Sequence, residues 1–466
     1  MHIHLIGVAG TAMATLAAML QRRGHRVTGS DAGVYPPMSD FLRAEHIEVR
    51  EGYAASHVDS TADLVVVGNA ISRGNVELET VLARRQRYCS LPERIRDEFL
   101  WDRHPIVVAG THGKTTTTSM VAWVLTHAGC DPSLLVGGIA ANFDASYRLG
   151  EGRDFVIEGD EYDSAFFDKT AKFLKYVPET VIVNNVEFDH ADIYTDLGAI
   201  LTAFTRLLRL VPSTGRVFIG ADDAGAASLI PSAFGIVETF GVSDGAHWQA
   251  RDLRPGASGT SFEVLRAGEP IGRAMVPMSG VHNVRNALAA VAVAASRGVA
   301  FATIAEGLAV FTGVKRRMEL RGTARGVAVY DDFAHHPTAI AETLRGVRRA
   351  HPDARIWAIF EPRSASSCLR VFQDAFTDAF EAADQVVLAS VFRTNLPEER
   401  RLSVPDLVRD LRGRGQQARH IDSTEEIVRA VAKEAREGDM LVVMSNGGFD
   451  DIHVRLLDAL GGGEAG

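Results

Sequence analysis

Short apolar runs alternate with amphipathic stretches three times along the chain. Runs at residues 2–7, 26–31 and 63–69 read as strands, and residues 11–23 and 76–86 carry apolar side chains at helical spacing. This is the grammar of βαβ units and a parallel sheet. A new strand at 105–110 runs into a Gly-Lys-Thr turn and a helix, and further apolar runs follow at 155–158, 181–184 and 217–220. The alternation restarts after Arg325, with strands at 327–331, 355–361, 385–389 and 440–445 separated by helical segments such as 424–436. Boundaries are expected near Arg103 and in a linker at 312–317, so the fold class is α/β in three domains, spanning 1–103, 104–313 and 314–466. The most apolar stretch, 286–311, is interrupted by Arg297 and Glu306. It falls short of the ~18 uncharged residues of a membrane span and reads as two Ala-rich buried helices. No repeat of solenoid length is found, and the glycine-rich tail at 461–466 is expected to fray.

Length and composition narrow the function. The 466 residues exceed the ~100–200 of one ordinary domain, and 46% hydrophobic with 23% charged residues is globular composition. A net charge of −10 argues against a nucleic-acid or membrane-surface binder, both of which need a basic field. Any anionic small ligand must find local basic groups. The opening MHIHLIGVAG lacks the basic and long apolar regions of a signal peptide, so a cytoplasmic protein is expected. Cys89, Cys130 and Cys368 are odd in number and scattered, as reduced thiols would be.

The sharpest chemical signal is VVAGTHGKTTT at 107–117. A strand ending in a glycine turn before a helix presents backbone N–H groups to phosphate, so Gly110, Thr111, His112, Gly113, Lys114, Thr115 and Thr116 form a candidate nucleotide cradle. Lys114 would reach the β- and γ-phosphates and the Thr115 hydroxyl would ligate Mg²⁺. The spacing departs from the general G-x-x-x-x-G-K-[ST] pattern, because position 108 is Val. Two acidic clusters follow, EGDEYD at 158–163 and NNVEFDHAD at 184–192. Mg²⁺ prefers hard oxygen ligands, which makes Glu158 the first choice. His190 is either a further ligand or a solvated side chain. Arg316 and Arg317 are either a solvated charge run or a guanidinium fork that neutralises phosphate. Asp331 ends a strand where α/β folds place ligands and would bond a ribose or hold a water. At the N-terminus, Gly7, Gly10 and the later Gly29-Ser30-Asp31 resemble a dinucleotide fingerprint with the wrong spacing. A phosphate is expected near Gly10, with Asp31 close to a sugar or base.

Taken in order, GTHGKTTT, IEGDEYD, NNVEFDHAD, HNVRNALAA, RRMELRG and YDDFAHHPT resemble the motifs of the Mur ligases, ATP-dependent amide-forming enzymes, through essentially the whole chain. The resemblance implies a Rossmann-like domain for a UDP-sugar over 1–103, a central P-loop ATPase-like domain with a mostly parallel sheet over 104–313, and a Rossmann-like domain for the incoming amine over 314–466. It implies ATP and Mg²⁺ as cofactors, with Asn283 and Asn286 joining the nucleotide set and Thr115, Glu158 and His190 the metal set. For such a reaction Lys114, an arginine from Arg316 or Arg317, and His190 or His336 as proton acceptor are the candidate catalytic residues. Stretches at 29–39, 67–75, 361–367 and 444–449 look like the branch that joins UDP-N-acetylmuramate to L-alanyl-γ-D-glutamyl-meso-diaminopimelate in peptidoglycan recycling. Gly10, Thr11, Ser30, Asp31 and Asn69 would then bind the sugar nucleotide, and Ser364, Asn446 and Arg363 the peptide, unless Arg363 makes a surface ion pair instead. No obligate protein partner is implied.

Three departures stand out. Gly159 replaces the more usual Ala, a change expected to be harmless. Asp450 and Asp451 stand where small residues are usual. No lysine occurs between Lys175 and Lys315, so the carbamylated lysine that bridges metals in several members has no counterpart. The alternatives are addition of free L-alanine, a dinucleotide-dependent oxidoreductase, which the N-terminal spacing and the separate phosphate loop count against, and an ATP-switched binding protein.

Overall fold

The computed structural model describes residues 1–35, 38–256, 258–393 and 395–462. Pro36 and Pro37 of the 29–39 stretch and the tail at 463–466 lie outside the described residues; Gly461 closes the last helix, Ile452–Gly461. The chain is mixed α/β with mostly parallel sheets. It forms two compact units. The first comprises Met1–Val186, Gly198–Trp248 and Ala289–Ile304, and the second Glu187–Leu197, Gln249–Leu288 and Ala305–Gly466.

The first unit opens with β1 (His2–Ile6), β2 (Arg26–Asp31), β3 (Glu48–Glu51), β4 (Leu64–Val67) and β5 (Tyr88–Ser90), in the order β3-β2-β1-β4-β5. All pairings are parallel, and every residue of β1 is buried. A second sheet contains β6 (His104–Ala109), β7 (Ser133–Ala140), β8 (Ala145–Arg148) and β9 (Asp154–Glu158). A small antiparallel pair follows, β10 (Asp163–Ala165) and β11 (Asp168–Ala171), and then β12 (Thr180–Val183), β13 (Arg216–Gly220) and β14 (Ile236–Gly241). In the second sheet the first unit's strands run β14-β13-β12-β6-β9-β7-β8, antiparallel only between β7 and β8. β6 is central, buried along its whole length, and pairs in parallel with both β9 and β12. The carboxyl ends of these three strands therefore bring Ala109, Glu158 and Val183 to one edge, where ligands of α/β sheets collect.

In the second unit, β15 (Trp248–Gly256), β16 (Gly259–Arg266) and β17 (Glu269–Val276) lie side by side, β16 and β17 as an antiparallel hairpin. The remaining strands are β18 (Glu319–Ala324), β19 (Val327–Asp332), β20 (Ile356–Phe360), β21 (Gln385–Leu388), β22 (Gln417–His420) and β23 (Met440–Met444). They run β18-β19-β23-β20-β21-β22, parallel except for β18. Successive side chains feed opposite cores: Trp357, Ile359, Leu441 and Val443 pack on one face, and Ile356, Ala358, Phe360 and Val442 on the other. Burial on both faces is why these strands read as unbroken apolar runs.

The predicted parallel strands and the two Ala-rich helices, Val281–Ser296 and Phe301–Ala309, are present. Among the described residues no helix is long and apolar enough to cross a membrane. The pattern did not predict β3, whose sequence EVRE is polar and partly exposed, or strands β15 to β18, which are largely exposed or mix exposed with buried positions. Gly159 proves less neutral than expected. A Cβ there would come 2.8 Å from Val107 Cγ1 and 3.2 Å from the Val108 carbonyl, so Ala requires β6 to give way.

Candidate active site

β6 ends at Ala109, and the turn that follows depends on two glycines. Gly110 has φ +136°, and a Cβ there would come 3.1 Å from atoms of both Asn184 and Asn185. Gly113 has φ +80° and precedes the helix Lys114–His127, a left-handed conformation that costs a side-chain-bearing residue ~1–2 kcal/mol. The first-turn N–H groups of that helix have no intrahelical acceptor and carry the positive end of its dipole. Asn185 anchors the turn by accepting from Thr111 N at 3.0 Å through its carbonyl and from His112 N at 2.7 Å through Oδ1. Asn184 donates to Thr117 Oγ1 at 3.0 Å. Neither asparagine was assigned a role from sequence; their position at the end of a strand beside β6 was the available signal.

Lys114 Nζ donates to the carbonyls of Gly110 (2.7 Å) and Thr111 (3.2 Å) and to Glu161 Oε1 (2.8 Å). Burial alone would pull its pKa down, but the surrounding carboxylates, Glu161 first and then Glu158 and Asp160, together hold it above the usual lysine value. Asp160 is likewise paired, with Lys172. Glu158 is different. Its Oε1 accepts from Thr115 Oγ1 at 3.1 Å and its Oε2 from Gly137 N at 2.8 Å, both neutral donors. Burial pushes its pKa up, only partly countered by the Gly137 amide and the Lys114 charge. A carboxylate beside the loop threonine, with no direct cation partner among the described residues, is the donor set that a hard divalent cation fits. Asp160 and Glu161 are instead each paired with a lysine.

The N-terminal turn uses another chemistry. Gly7, at φ +85°, and Val8 donate backbone N–H groups to Ser30 O at 2.8 and 3.1 Å. Asp31 accepts from Ala9 N (2.9 Å), Gly33 N (3.1 Å) and Tyr53 Oη (3.5 Å). Burial and Asp31 raise the Tyr53 pKa to about 12. Gly10, Thr11 and Asn69 are exposed at the carboxyl ends of β1 and β4. Ser30 is not: it is fully buried and its hydroxyl donates to Glu77, which also accepts from Ala54 N at 3.1 Å and pairs with His57 at 3.1 Å. Ser30 therefore lies beneath the turn instead of on its ligand face.

In the second unit, Asp331 is one of the last two residues of β19, and Glu361 and Ser445 follow the carboxyl ends of β20 and β23. Arg316, expected to reach phosphate, is held there. It pairs with Asp331 Oδ2 at 3.2 Å and donates to the Ser445 and Gly447 carbonyls at 2.8 and 2.6 Å. His453 and Arg316 hold the Asp331 carboxyl below its usual pKa, against the opposing effect of burial. Arg317 lies over the Phe333 ring, 5.1 Å from its centroid. Arg363 packs 3.7 Å above the Phe392 ring and donates to Glu361 at 3.4 Å, and Glu361 accepts from Ser445 Oγ at 2.6 Å. Asn446 Oδ1 is buried with no hydrogen-bond partner among the described residues. The Ser364 hydroxyl bonds Ser367, so the residue is turned inward. Asp450 and Asp451 share a left-handed backbone with Phe449, and Asp450 accepts from Thr424 Oγ1 at 2.9 Å.

His190 has φ +52°, and its N–H donates to Ser366 Oγ at 3.0 Å. Its neighbour Asp189 is buried, and His190, His335 and His336 hold its carboxyl far below the usual range. His336 caps its helix through Thr338 N and lies 3.2 Å from the Phe188 carbonyl. Asn283 donates to Ser279 O at 2.8 Å and accepts from Asn286 at 3.3 Å, both side chains being buried.

A phosphate loop with a lysine, a hydroxyl and a free-standing carboxylate, together with an aspartate-lined glycine turn in the same unit, marks a nucleotide-consuming enzyme of the α/β class. The chain belongs to the Mur ligase family: it matches the family's catalytic domain over residues 2–97, the middle domain over 108–294 and the glutamate ligase domain over 316–447. It is an amide-forming ligase of that family. It is 43% identical over 462 residues to the UDP-N-acetylmuramate–L-alanyl-γ-D-glutamyl-meso-2,6-diaminoheptandioate ligase of Escherichia coli K12, covering 99% of this chain and 98% of that one. Among solved structures it is similar to a murein peptide ligase of Psychrobacter arcticus, at 39% identity, a TM-score of 0.72 and 99% coverage of each chain. The UDP-N-acetylmuramate–alanine ligase of Thermotoga maritima is 25% identical, with a TM-score of 0.81 and 98% coverage of each.

Proposed function

We propose that this ligase joins UDP-N-acetylmuramate to the tripeptide L-alanyl-γ-D-glutamyl-meso-diaminopimelate at the expense of ATP, in the cytoplasm, returning a cell-wall fragment to synthesis. The observation that carries this reading is the 43% identity, over essentially both full lengths, to a ligase named for that tripeptide. We divide the work among three domains, 1–103 for the sugar nucleotide, 104–313 for ATP and 314–466 for the peptide. The backbone superposition with an L-alanine ligase, tighter than that with the murein peptide ligase, favours free L-alanine as the second reading. Sequence identity weighs more here, because the shared backbone serves both acceptors while side chains choose between them.

In the proposed reaction a carboxylate oxygen of the sugar's lactyl group attacks the γ-phosphorus, the bond to the ADP oxygen breaks, and an acyl phosphate forms. The alanine nitrogen then attacks the acyl carbon, phosphate leaves and the nitrogen sheds a proton. Both partners of the first step are anionic, so neutralisation and alignment dominate. Lys114 and the helix N-terminus would meet the phosphates, and Arg317 takes the neutralising role because the Arg316 guanidinium is committed to Asp331 and two carbonyls. Thr115 and Glu158 would hold the Mg²⁺, which supplies charge neutralisation, with His190 a further candidate ligand. An α-amino group with a pKa near ~8 is mostly protonated at neutrality, so His190 or His336 would accept a proton. Gly10, Thr11, Asp31 and Asn69 would receive the sugar nucleotide. Asn446 Oδ1, a buried acceptor, suits an ammonium of the peptide, and Arg363 suits one of its carboxylates.

ADP formation measured with UDP-N-acetylmuramate and either tripeptide or L-alanine tests this. Preference for the tripeptide supports the proposal; equal or greater rates with L-alanine move the chain to the second reading. Arg363→Ala should raise the tripeptide KM far more than the sugar-nucleotide KM, and equal effects refute its role.

A further inference from the structure

The first unit contains a cavity of about 560 Å³ at the edge opposite both glycine turns, within the size range of small-molecule sites. Its lining includes Arg22, Arg23, Arg103 and Arg148, the rings of Phe143 and Tyr147, and a single carboxylate, Glu151. Two elements measure its separation from the reaction site. Helix Thr11–Arg22 starts after Gly10 and ends at the cavity, 12 residues or ~18 Å away. β6 starts beside Arg103 and delivers the phosphate loop after 6 residues, ~20 Å away. The cavity is therefore not part of either glycine turn.

The charges do not cancel. Arg22 is paired with Glu45 and lies over the Tyr147 ring, and Arg148 is paired with Asp131. Arg103 donates to the Gly152 carbonyl; its charge is felt by the Asp131 carboxyl, but that carboxylate's direct ion pair is with Arg148. Arg23 stacks on Phe99 with its guanidinium 5.4 Å from the ring centroid and makes no ion pair among the described residues. In a chain of net charge −10, four guanidinium groups line one concave site with one lining carboxylate, and two of them, Arg23 and Arg103, make no direct ion pair among the described residues, which forms a local anion trap. Guanidinium edges match phosphate oxygens, and the aromatic rings give an attached organic group a surface to pack on.

We propose that this cavity is a second anion site, for a small phosphorylated molecule distinct from the substrates, held chiefly by Arg23 and Arg103. Binding there would brace helix Thr11–Arg22 against the start of β6, the two elements whose other ends carry the glycine turns.

Isothermal titration calorimetry of the full chain with inorganic pyrophosphate, in saturating Mg–ADP and uridine diphosphate to fill both turns, tests the proposal. One further equivalent should bind with a dissociation constant below ~1 mM and weaken as salt rises. Arg23→Glu should lower that affinity at least tenfold while basal ADP formation stays unchanged, and the exposed control Arg43→Glu should leave both unaltered. If Arg23→Glu does not fold, as read by circular dichroism, Arg103→Met should show the same loss. Absence of the extra equivalent, or a variant that binds pyrophosphate like the parent, overturns the site.

Discussion

The first unit builds the same local device twice, a buried parallel strand, a glycine turn and a helix, and gives the two copies opposite electrostatics. After β6 the turn carries a cation, Lys114, and presents helix N–H groups to whatever arrives. After β1 the nearest charged side chain is Asp31, whose carboxylate already holds the amides of Ala9 and Gly33. A carboxylate in that place competes with phosphate for N–H donors, and it offers acceptors to hydroxyl or imino groups instead. A shared order of strand, glycine turn and helix thus carries a cation at one turn and a carboxylate at the other.

Removal of the cation should have the largest effect. Lys114→Ala is expected to cut ADP formation by roughly 10²–10³-fold while circular dichroism shows the fold retained. Unchanged turnover would erase the electrostatic distinction between the turns. Next, Glu158→Gln should raise the Mg²⁺ concentration for half-maximal activity about tenfold or more, read from Mg²⁺ titrations of the rate. The sign with pH follows from burial. The Glu158 pKa is raised, and a metal binds only the ionised form, so Mg²⁺ affinity of the parent should improve as pH climbs through that raised value, a dependence the glutamine variant should lose. Asp31→Asn should then raise the sugar-nucleotide KM several-fold, on the order of one charged hydrogen bond, and leave the ATP KM alone; a shift in the ATP value instead would contradict the division of labour.

The smallest effects separate the two turns by backbone alone. Gly113→Ala forces a Cβ into φ +80° and should cost about 1–2 kcal/mol in denaturant unfolding. Gly10→Ala should stay within about 0.5 kcal/mol, because Gly10 is extended at φ −66° and its nearest neighbour to a new Cβ is 3.6 Å away.

Much of this was legible beforehand where burial on both faces imposes a continuous apolar run, as in β6, β20 and β23. Legibility failed where one face meets water. β3 is written EVRE and the hairpin of β16 and β17 mixes exposed charges with buried Phe262 and Val264, so neither carries the parallel-strand signature. The phosphate loop was read from local spacing, but its supports were not. Asn184, Asn185 and Glu161 reach the loop from neighbouring strands, and only the sheet order β12-β6-β9 brings them there. Ser30 and Arg316 failed for the complementary reason: each sits at a ligand-bearing edge in sequence, yet Glu77 and Asp331 draw its polar atoms inward.

The grip of Glu161 on Lys114 makes the loop a lock with its own key already half inserted. A polyphosphate that recruits the ammonium must share or displace three existing contacts, so each arrival is an exchange of counterions and each departure lets the carboxylate reclaim its partner. Such an exchange trades tightness of hold for ease of release, a useful disposition in a catalyst that must discard spent ADP at every turnover.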